Sequence, residues 1–220
     1  MAKSQLFTPV LLAGCFILVI SFGIRASFGV FQIPIAEEFG WLRADFSMAI
    51  AIQNLAWGIG QPIFGAIAER FGDRRAIVLG ALLYSAGLLA SSFAVTPGQH
   101  QMLEILVGFG IAGTGFGIIL AIVGRASSPE NRSLSLGIAT GVGSFGQMLG
   151  PVVAAVLLQH YPWQTVFVIF SIAILATLLM LPLLRAPVRT TRQELEDSMG
   201  TVLLRSFKDP SFVMIFVGFF

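Results

Sequence analysis

The stretch GAIAERFGDRR, residues 65–75, places a short charged segment between two long apolar runs. Its last seven positions carry five charges, and such a density of charge cannot lie in hydrocarbon. Gly72 can adopt the left-handed conformation that commonly ends a helix, and Gly65 removes a side chain where another helix approaches closely. The stretch predicts the loop of a transmembrane helical hairpin. The simplest interpretation is a hairpin that obeys the charge rule for cytoplasmic loops and has no further role.

The composition of the whole chain places it in a bilayer. Of its 220 residues 56% are hydrophobic and 11% are charged, and the mean hydropathy is +0.88, too apolar for a water-soluble domain of this size. The net charge is only +2 and the bases fall in loops, so nucleic acid is not an expected partner. Cys15, the one cysteine, can form no internal disulfide. We interpret the apolar run after Lys3 as a retained span and not as a cleaved signal.

Runs of about 20 apolar residues mark the membrane spans. The predicted spans cover residues 8–34, 45–68, 75–95, 101–124, 134–158 and 163–185, and a seventh begins near Phe212. Asp45 or Ser47 is expected to cap the second span, and Thr96-Pro97-Gly98 marks the turn before the fourth. The prediction is therefore an all-α, polytopic membrane protein. We expect a six-helix bundle over 1–185, a cytoplasmic linker over 186–210 and the start of a second bundle over 211–220.

The positions of Lys and Arg predict the orientation. With the N-terminus in the cytoplasm, eleven of the 13 bases lie inside, Arg43 alone lies outside and Arg25 lies within the membrane. This asymmetry is what the positive-inside rule requires. We expect a multi-pass protein of an inner or plasma membrane with a cytoplasmic N-terminus.

A fixed offset of 88 residues relates the early spans to the later ones. It lays Phe28-Gly29 on Phe116-Gly117 and Trp57-Gly58 on Phe145-Gly146, so spans one and two resemble spans four and five. The match fades between spans three and six. A repeat of three spans inserts upside down relative to its copy, and inverted repeats of this kind build the two gates of secondary transporters.

The charged segment resembles the signature loop between the second and third spans of the major facilitator superfamily. The positions that match the pattern are Gly65, Glu69, Gly72, Arg74 and Arg75, and Arg70 belongs to the same gating segment. Two positions depart from the pattern, because Glu69 replaces an Asp and Asp73 stands where a base is commoner. The resemblance implies that the chain is the N-terminal six-helix half of a transporter plus its linker, and that the second half is missing. It also implies that Glu69 helps to hold the two halves together in the outward-facing state.

Arg25 is the one charged residue deep in a predicted span. A charge near the bilayer centre is costly and is tolerated chiefly beside a wet cavity or a partner. We expect Arg25 to bind substrate in a central cavity between spans one and four and the missing half. The alternative is a structural ion pair, for which Glu104 is the candidate within these spans; a misplaced span is the remaining possibility.

The first span carries a second resemblance. GIRASFGVF, residues 23–31, followed by Phe39-Gly40-Trp41 and Arg43, is similar to the first span of bacterial monocarboxylate and oxalate/formate transporter relatives within the superfamily. This resemblance implies a small organic anion as the substrate. The guanidinium fork of Arg25 suits a carboxylate.

Other polar residues inside spans are further candidates for substrate contact. They are Asn54, Gln53 and Gln147, each with interhelical hydrogen bonding as the alternative. His100 and His160 fall in predicted outer loops far from each other, so neither a metal site nor a proton relay is indicated. The sequence shows no nucleotide loop, no acid–base pair in a span and no catalytic constellation, so no cofactor and no enzymatic activity are expected.

Span five is rich in glycine. The spacing of Gly146, Gly150 and Pro151 resembles the fifth-span motif of superfamily antiporters, and we expect Gly141, Gly146 and Gly150 to face another helix. Tight packing with no mechanistic role is the alternative. Span four lacks the Arg that many proton-coupled relatives place there, which argues against proton coupling.

These patterns together predict a secondary transporter of a small solute, an organic monocarboxylate anion, that works by alternating access. An efflux antiporter of drugs or other metabolites is the alternative within the superfamily. A membrane sensor that binds without transporting and a membrane-embedded enzyme are the alternatives from other classes.

Overall fold

The computed structural model describes residues 6–186, 208–210 and 213–214. The chain divides after Pro187 into two units, and the fold described below belongs to the first. The predicted linker and the start of the seventh span lie almost wholly outside the described residues, so both stay predictions.

Residues 6–186 fold into helices joined by short turns. In chain order these are α1 Pro9–Phe39, α2 Arg43–Phe71, α3 Asp73–Ser91, α4 Pro97–Thr114, α5 Phe116–Ala126, α6 Arg132–Leu158, α7 Trp163–Ala176 and a 3-10 helix Thr177–Leu183. The fourth predicted span is built from α4 and α5, which are separated at Gly115. The sixth is built from α7 and the 3-10 helix. This architecture confirms the predicted all-α, polytopic fold.

Five of the described segments are long and apolar enough to cross a membrane. They are Pro9–Phe39, Asp73–Ser91, Pro97–Ala126, Arg132–Leu158 and Trp163–Leu183. The second predicted span, α2, falls short of that hydropathy although it is 29 residues long, about 43 Å at the rise of an α-helix. Its amides Gln53, Asn54 and Gln61 lower its hydropathy. They also point to polar surroundings along part of this helix.

The helix ends differ from the prediction in two details. Asp45 was expected as the cap of the second span, but the helix begins two residues earlier, and Leu42 N donates to Asp45 Oδ2 at 3.1 Å. Ser47 lies inside the helix. Gly72 does end α2, but with φ 95° and ψ 146°, a conformation open essentially to glycine and distinct from the left-handed helical one. Thr96 accepts from Gln99 N at 3.3 Å and caps α4.

The two most extensive helix interfaces are α1 with α6 and α2 with α4. Helices α1 and α6 are spans one and five, and α4 and α2 belong to spans four and two. When spans one to three are exchanged with spans four to six, the interface of spans one and five becomes that of spans four and two. This relation is what an inverted repeat of three spans predicts.

Glycines allow close backbone approach at both interfaces. A Cβ at Gly146 would lie 2.6 Å from the carbonyl oxygen of Val19, and one at Gly150 would collide with the backbone of Gly23. At the other interface Gly108 lies against the backbone of α2. Gly141 is exposed and has no described atom within 4 Å of an added Cβ, so its packing role stays a prediction.

We predict that Gly150→Ala lowers the melting temperature of the purified protein. The new methyl group meets the backbone of α1, which cannot rotate away, so the α1–α6 interface must open at a cost of about 1–3 kcal/mol. Gly141→Ala is the matched control on the same helix, and we expect its melting temperature to equal that of the parent. Equal melting temperatures for the two variants would contradict the packing argument.

Candidate functional site

Arg25 lies near the middle of α1. It follows Pro9 by 16 residues and precedes Phe39 by 14, which places it about 24 Å and 21 Å from the two ends of the helix. It is half-buried. The helix extends five residues beyond the predicted span, so Arg25 lies farther from the end of its helix than the sequence indicated.

Two residues of α2 hold the guanidinium. Arg25 Nη2 donates to Asn54 Oδ1 at 2.6 Å, and Arg25 Cζ lies 4.5 Å from the centroid of the Trp57 ring. The Asn54 amide is oriented by its own bond to the Ile50 carbonyl at 3.0 Å. The structure thus brings together the predicted pair Arg25 and Asn54. It adds Trp57, which the sequence analysis missed although it lies one helical turn after Asn54 on the same face.

Arg25 is not paired with an acid in the described part of the chain. The alternative partner, Glu104, accepts from Gln53 and approaches His100 instead. Arg25 Nε is buried without a hydrogen-bond partner, and so is Trp57 Nε1. Two buried donors at one place therefore lack an acceptor, a costly arrangement that an acceptor-rich ligand would relieve.

An aromatic wall lies beside the guanidinium, where Trp57 contacts Arg25 and Phe22 packs against both Trp57 and Phe116. The Phe22 ring lies 5.9 Å from the Trp57 ring and 4.2 Å from the Phe116 ring, measured between centroids. A cation in front of apolar rings can bind a molecule that carries one negative charge on a small hydrocarbon body.

Gln53 was predicted to contact substrate, and the structure places it away from the Arg25 guanidinium, in the α2–α4 interface. Its side chain is 1% exposed, and its Nε2 donates to Glu104 Oε2 at 2.6 Å in the α2–α4 interface. Consecutive helical residues point about 100° apart, so Gln53 faces α4 while Asn54 faces α1. Gln147 is half-buried beside Gly146, and no described contact joins it to Arg25. Its substrate role stays a prediction.

The charged segment 65–75 connects three parts of the bundle. Asp73 at the start of α3 forms an ion pair with Arg125 at the end of α5, at 2.5 Å. Arg74 Nε donates to the Leu184 carbonyl at 3.4 Å, and Arg70 lies over the Phe71 ring. Asp73, noted as a departure from the family pattern, is thus the residue that makes the ion pair.

The remaining positions of this segment are more exposed. Glu69 and Arg75 lie on the surface of the described unit. Gly65 was expected to admit another helix, but an added Cβ would meet no described atom within 4 Å. The packing role of Gly65 therefore stays a prediction.

His100 was predicted to lie in an outer loop, and this too is wrong. Thr96 and Pro97 start α4 four residues earlier than expected, so His100 lies in its first turns and is 2% exposed. His100 Nε2 lies 3.7 Å from Glu104 Oε1. The spacing of four residues between them was the sequence signal that could have shown an acid–base pair inside a span. His160 is exposed. Residues 6–186 hold no cluster of His, Cys, Asp and Glu that could bind a metal.

The fold and the buried arginine define a polytopic helical membrane protein with a charged site near mid-bundle. The Major Facilitator Superfamily family model matches residues 13–220. The chain belongs to this superfamily.

Similar proteins cover a range of transported molecules. The chain is 35% identical over 165 residues to monocarboxylate transporter 13 of Bos taurus, covering 74% of this chain and 38% of that protein. It is 29% identical over 133 residues to the methyl viologen resistance protein SmvA of Salmonella typhimurium, covering 60% and 26%. The fold matches the inward open conformation of the xylose transporter XylE from E. coli with a TM-score of 0.71 at 16% identity, covering 96% of this chain and 55% of that one. The chain spans less than half the length of these two curated relatives.

We predict that the Asp73–Arg125 ion pair stabilises the bundle. Both side chains are partly exposed, at 29% and 19%, so removing either charge, as in Asp73→Asn or Arg125→Gln, should cost about 1 kcal/mol of unfolding free energy. Arg75→Gln, in the same turn of α3, is the control and should cost nothing measurable. A double-mutant cycle measured by thermal unfolding checks this expectation, and strictly additive losses would contradict it.

Proposed function

We propose that the chain is part of a secondary transporter that binds a small organic monocarboxylate anion at Arg25. The observation that carries the proposal is the pair of buried donors, Arg25 Nε and Trp57 Nε1, that lack acceptors beside a cation without a described counter-charge. A carboxylate supplies both the negative charge and the acceptor atoms. Charge-assisted hydrogen bonds to a guanidinium are among the strongest that a protein makes.

The shape of the site favours one carboxylate on a small apolar body. Asn54 Oδ1 already accepts from one nitrogen of the guanidinium, which leaves one edge of the guanidinium for a single anionic group. Trp57 and Phe116, which are half-buried, offer apolar contact to the rest of the molecule, and the buried Phe22 ring packs against both. The identity of 35% with a monocarboxylate transporter supports the same class of substrate.

The proposal includes a transport cycle and an orientation. We place the N-terminus and the segment 65–75 in the cytoplasm, in an inner or plasma membrane, because the bases concentrate on that side. The six-helix unit would rock against a second half of the same transporter, with the anion held between them. Glu69 would stabilise the closed cytoplasmic gate.

A drug or metabolite efflux antiporter is the second candidate. The similarity to SmvA supports it, and the aromatic wall could hold a planar organic molecule. The positive charge of Arg25 disfavours a cationic one. Counterflow in vesicles that hold the full-length protein separates both candidates from a sensor, since only a carrier exchanges label across the bilayer.

We predict that replacing Arg25 weakens the binding of monocarboxylates in graded steps. Arg25→Lys keeps the charge but loses the fork, so lactate or pyruvate should bind more weakly yet measurably. Arg25→Ala should reduce affinity at least ten- to a hundredfold, about 1.5–3 kcal/mol for one lost charge-assisted bond. Calorimetric binding and counterflow with full-length protein measure both effects.

Arg43→Ala is the control for these variants. Arg43 starts α2 and is exposed, and it is its backbone carbonyl, not its side chain, that accepts from Gln32. We expect it to bind and exchange as the parent does. A stably folded Arg25→Ala protein that binds every tested acid as tightly as the parent would contradict the proposal.

We predict that Glu69→Gln slows turnover and leaves the dissociation constant of the substrate nearly unchanged. Glu69 lies at the end of α2, far from the guanidinium in the middle of α1, so its loss should affect a gate and not the binding site. Counterflow rates and equilibrium binding on the same preparation test this. Lost binding at a normal exchange rate is the result that would exclude a gating role.

A further inference from the structure

A second polar site lies buried between α2 and α4. Glu104 is fully buried and His100 is 2% exposed. Gln53 Nε2 donates to Glu104 Oε2 at 2.6 Å, and His100 Nε2 lies 3.7 Å from Glu104 Oε1. Glu104 Oε1 has no hydrogen-bond partner. One oxygen of a buried carboxyl group is therefore satisfied, and the other faces an imidazole.

Apolar rings enclose the imidazole. Its ring centroid lies 5.6 Å from that of Phe46, 5.9 Å from that of Trp41 and 6.3 Å from that of Phe167. These rings come from α2, from the turn before it and from α7. The enclosure keeps water away from the pair, so charge on the carboxyl group has to be neutralised locally.

The groups that face Glu104 from the neighbouring helices offer little compensation. From α2 there is the Gln53 amide, which is neutral. From α3 there is Tyr84, which lies near both Glu104 and Arg25 and donates its hydroxyl hydrogen to the Ser21 carbonyl. The described α7 carries no charged residue. Asp45 of α2 touches this region only through its backbone carbonyl, which accepts from Gln101.

We propose that Glu104 and His100 form a proton-binding site of the carrier. With the bundle closed, one proton resides on the pair, either on the Glu104 carboxyl group or on the His100 imidazole. Release breaks the O–H or N–H bond and passes the proton to water. The carboxylate and the neutral imidazole that remain are stable only when the site is hydrated, because an uncompensated buried carboxylate is strongly disfavoured.

The proton site is linked to the anion site through neighbouring residues of α2. Gln53 holds Glu104 and Asn54 holds Arg25, so a movement of α2 that exposes one site also displaces the other. Coupled transport, in which the proton accompanies the anion, therefore rests on the proposed function. It also bears on the argument against proton coupling that the sequence analysis drew from the missing Arg of span four.

Infrared difference spectroscopy on full-length protein in detergent tests the proton site directly. We expect a protonated carboxyl band that disappears as the pH is raised, that is absent in Glu104→Gln, and whose midpoint moves in His100→Gln. Glu37→Gln, which removes an exposed acid of α1, is the matched control and should keep the parent spectrum. A parent band that persists in Glu104→Gln, or a Glu104 that stays in one protonation state across the pH range, would overturn the proposal.

A transport experiment tests the coupling separately. Proteoliposomes that enclose a pH-sensitive dye receive an inward lactate gradient, and empty liposomes report passive entry of lactic acid. Parent protein and Glu37→Gln should acidify the lumen faster than empty liposomes, and Glu104→Gln should lose that excess. If labelled lactate exchanges across the bilayer but the Glu104→Gln protein acidifies the lumen as the parent does, the coupling proposal fails while the anion proposal stands. If no monocarboxylate exchanges, the anion proposal fails, and the infrared result alone decides whether the proton site exists.

Discussion

The charge of Arg25 in the middle of α1 is the constraint on which the rest of the site depends. On insertion scales such a charge costs about 2.5–3.5 kcal/mol, and within the described residues no carboxylate offsets it. Asn54 and Trp57 hold the guanidinium instead. Asn54 is one of the three amides that keep α2 below the hydropathy of the other spans. Part of the polarity of α2 thus serves the cation of its neighbour.

Helix α2 makes polar contacts with both α1 and α4 because adjacent residues of a helix point in different directions. Asn54 turns toward α1, and Gln53 turns toward Glu104 on α4. The α2–α4 interface is tight, because Gly108 lies against the backbone of α2 at Gln53 and Trp57. Close backbone contact makes a helix move as a rigid element. A rigid α2 carrying two polar sites is a physical means of linking them.

The sequence was sufficient for the helical spans, for the position of Arg25 inside a helix and for the close approach at Gly146 and Gly150, because hydrophobic length, isolated charge and small-residue spacing are local signals. It was not sufficient for Gln53, whose direction depends on where α4 packs. His100 was misplaced because the cap at Thr96 moved the helix start by four residues, enough to turn a loop residue into a buried one. The Asp73–Arg125 pair joins positions far apart in the chain, and no local pattern indicates such a pair.

The central claim is that Arg25 lies in a water-accessible cavity and binds a carboxylate there. The most direct measurement places a cysteine at position 25 of an otherwise cysteine-free full-length protein and follows its reaction with a charged, membrane-impermeant thiol reagent. We predict that the cysteine reacts in membranes and that a cysteine placed at Asn54 of the Arg25-containing protein is protected by lactate or pyruvate. A cysteine at position 25 that stays unreactive from both sides of the membrane, with no protection at position 54, would contradict it.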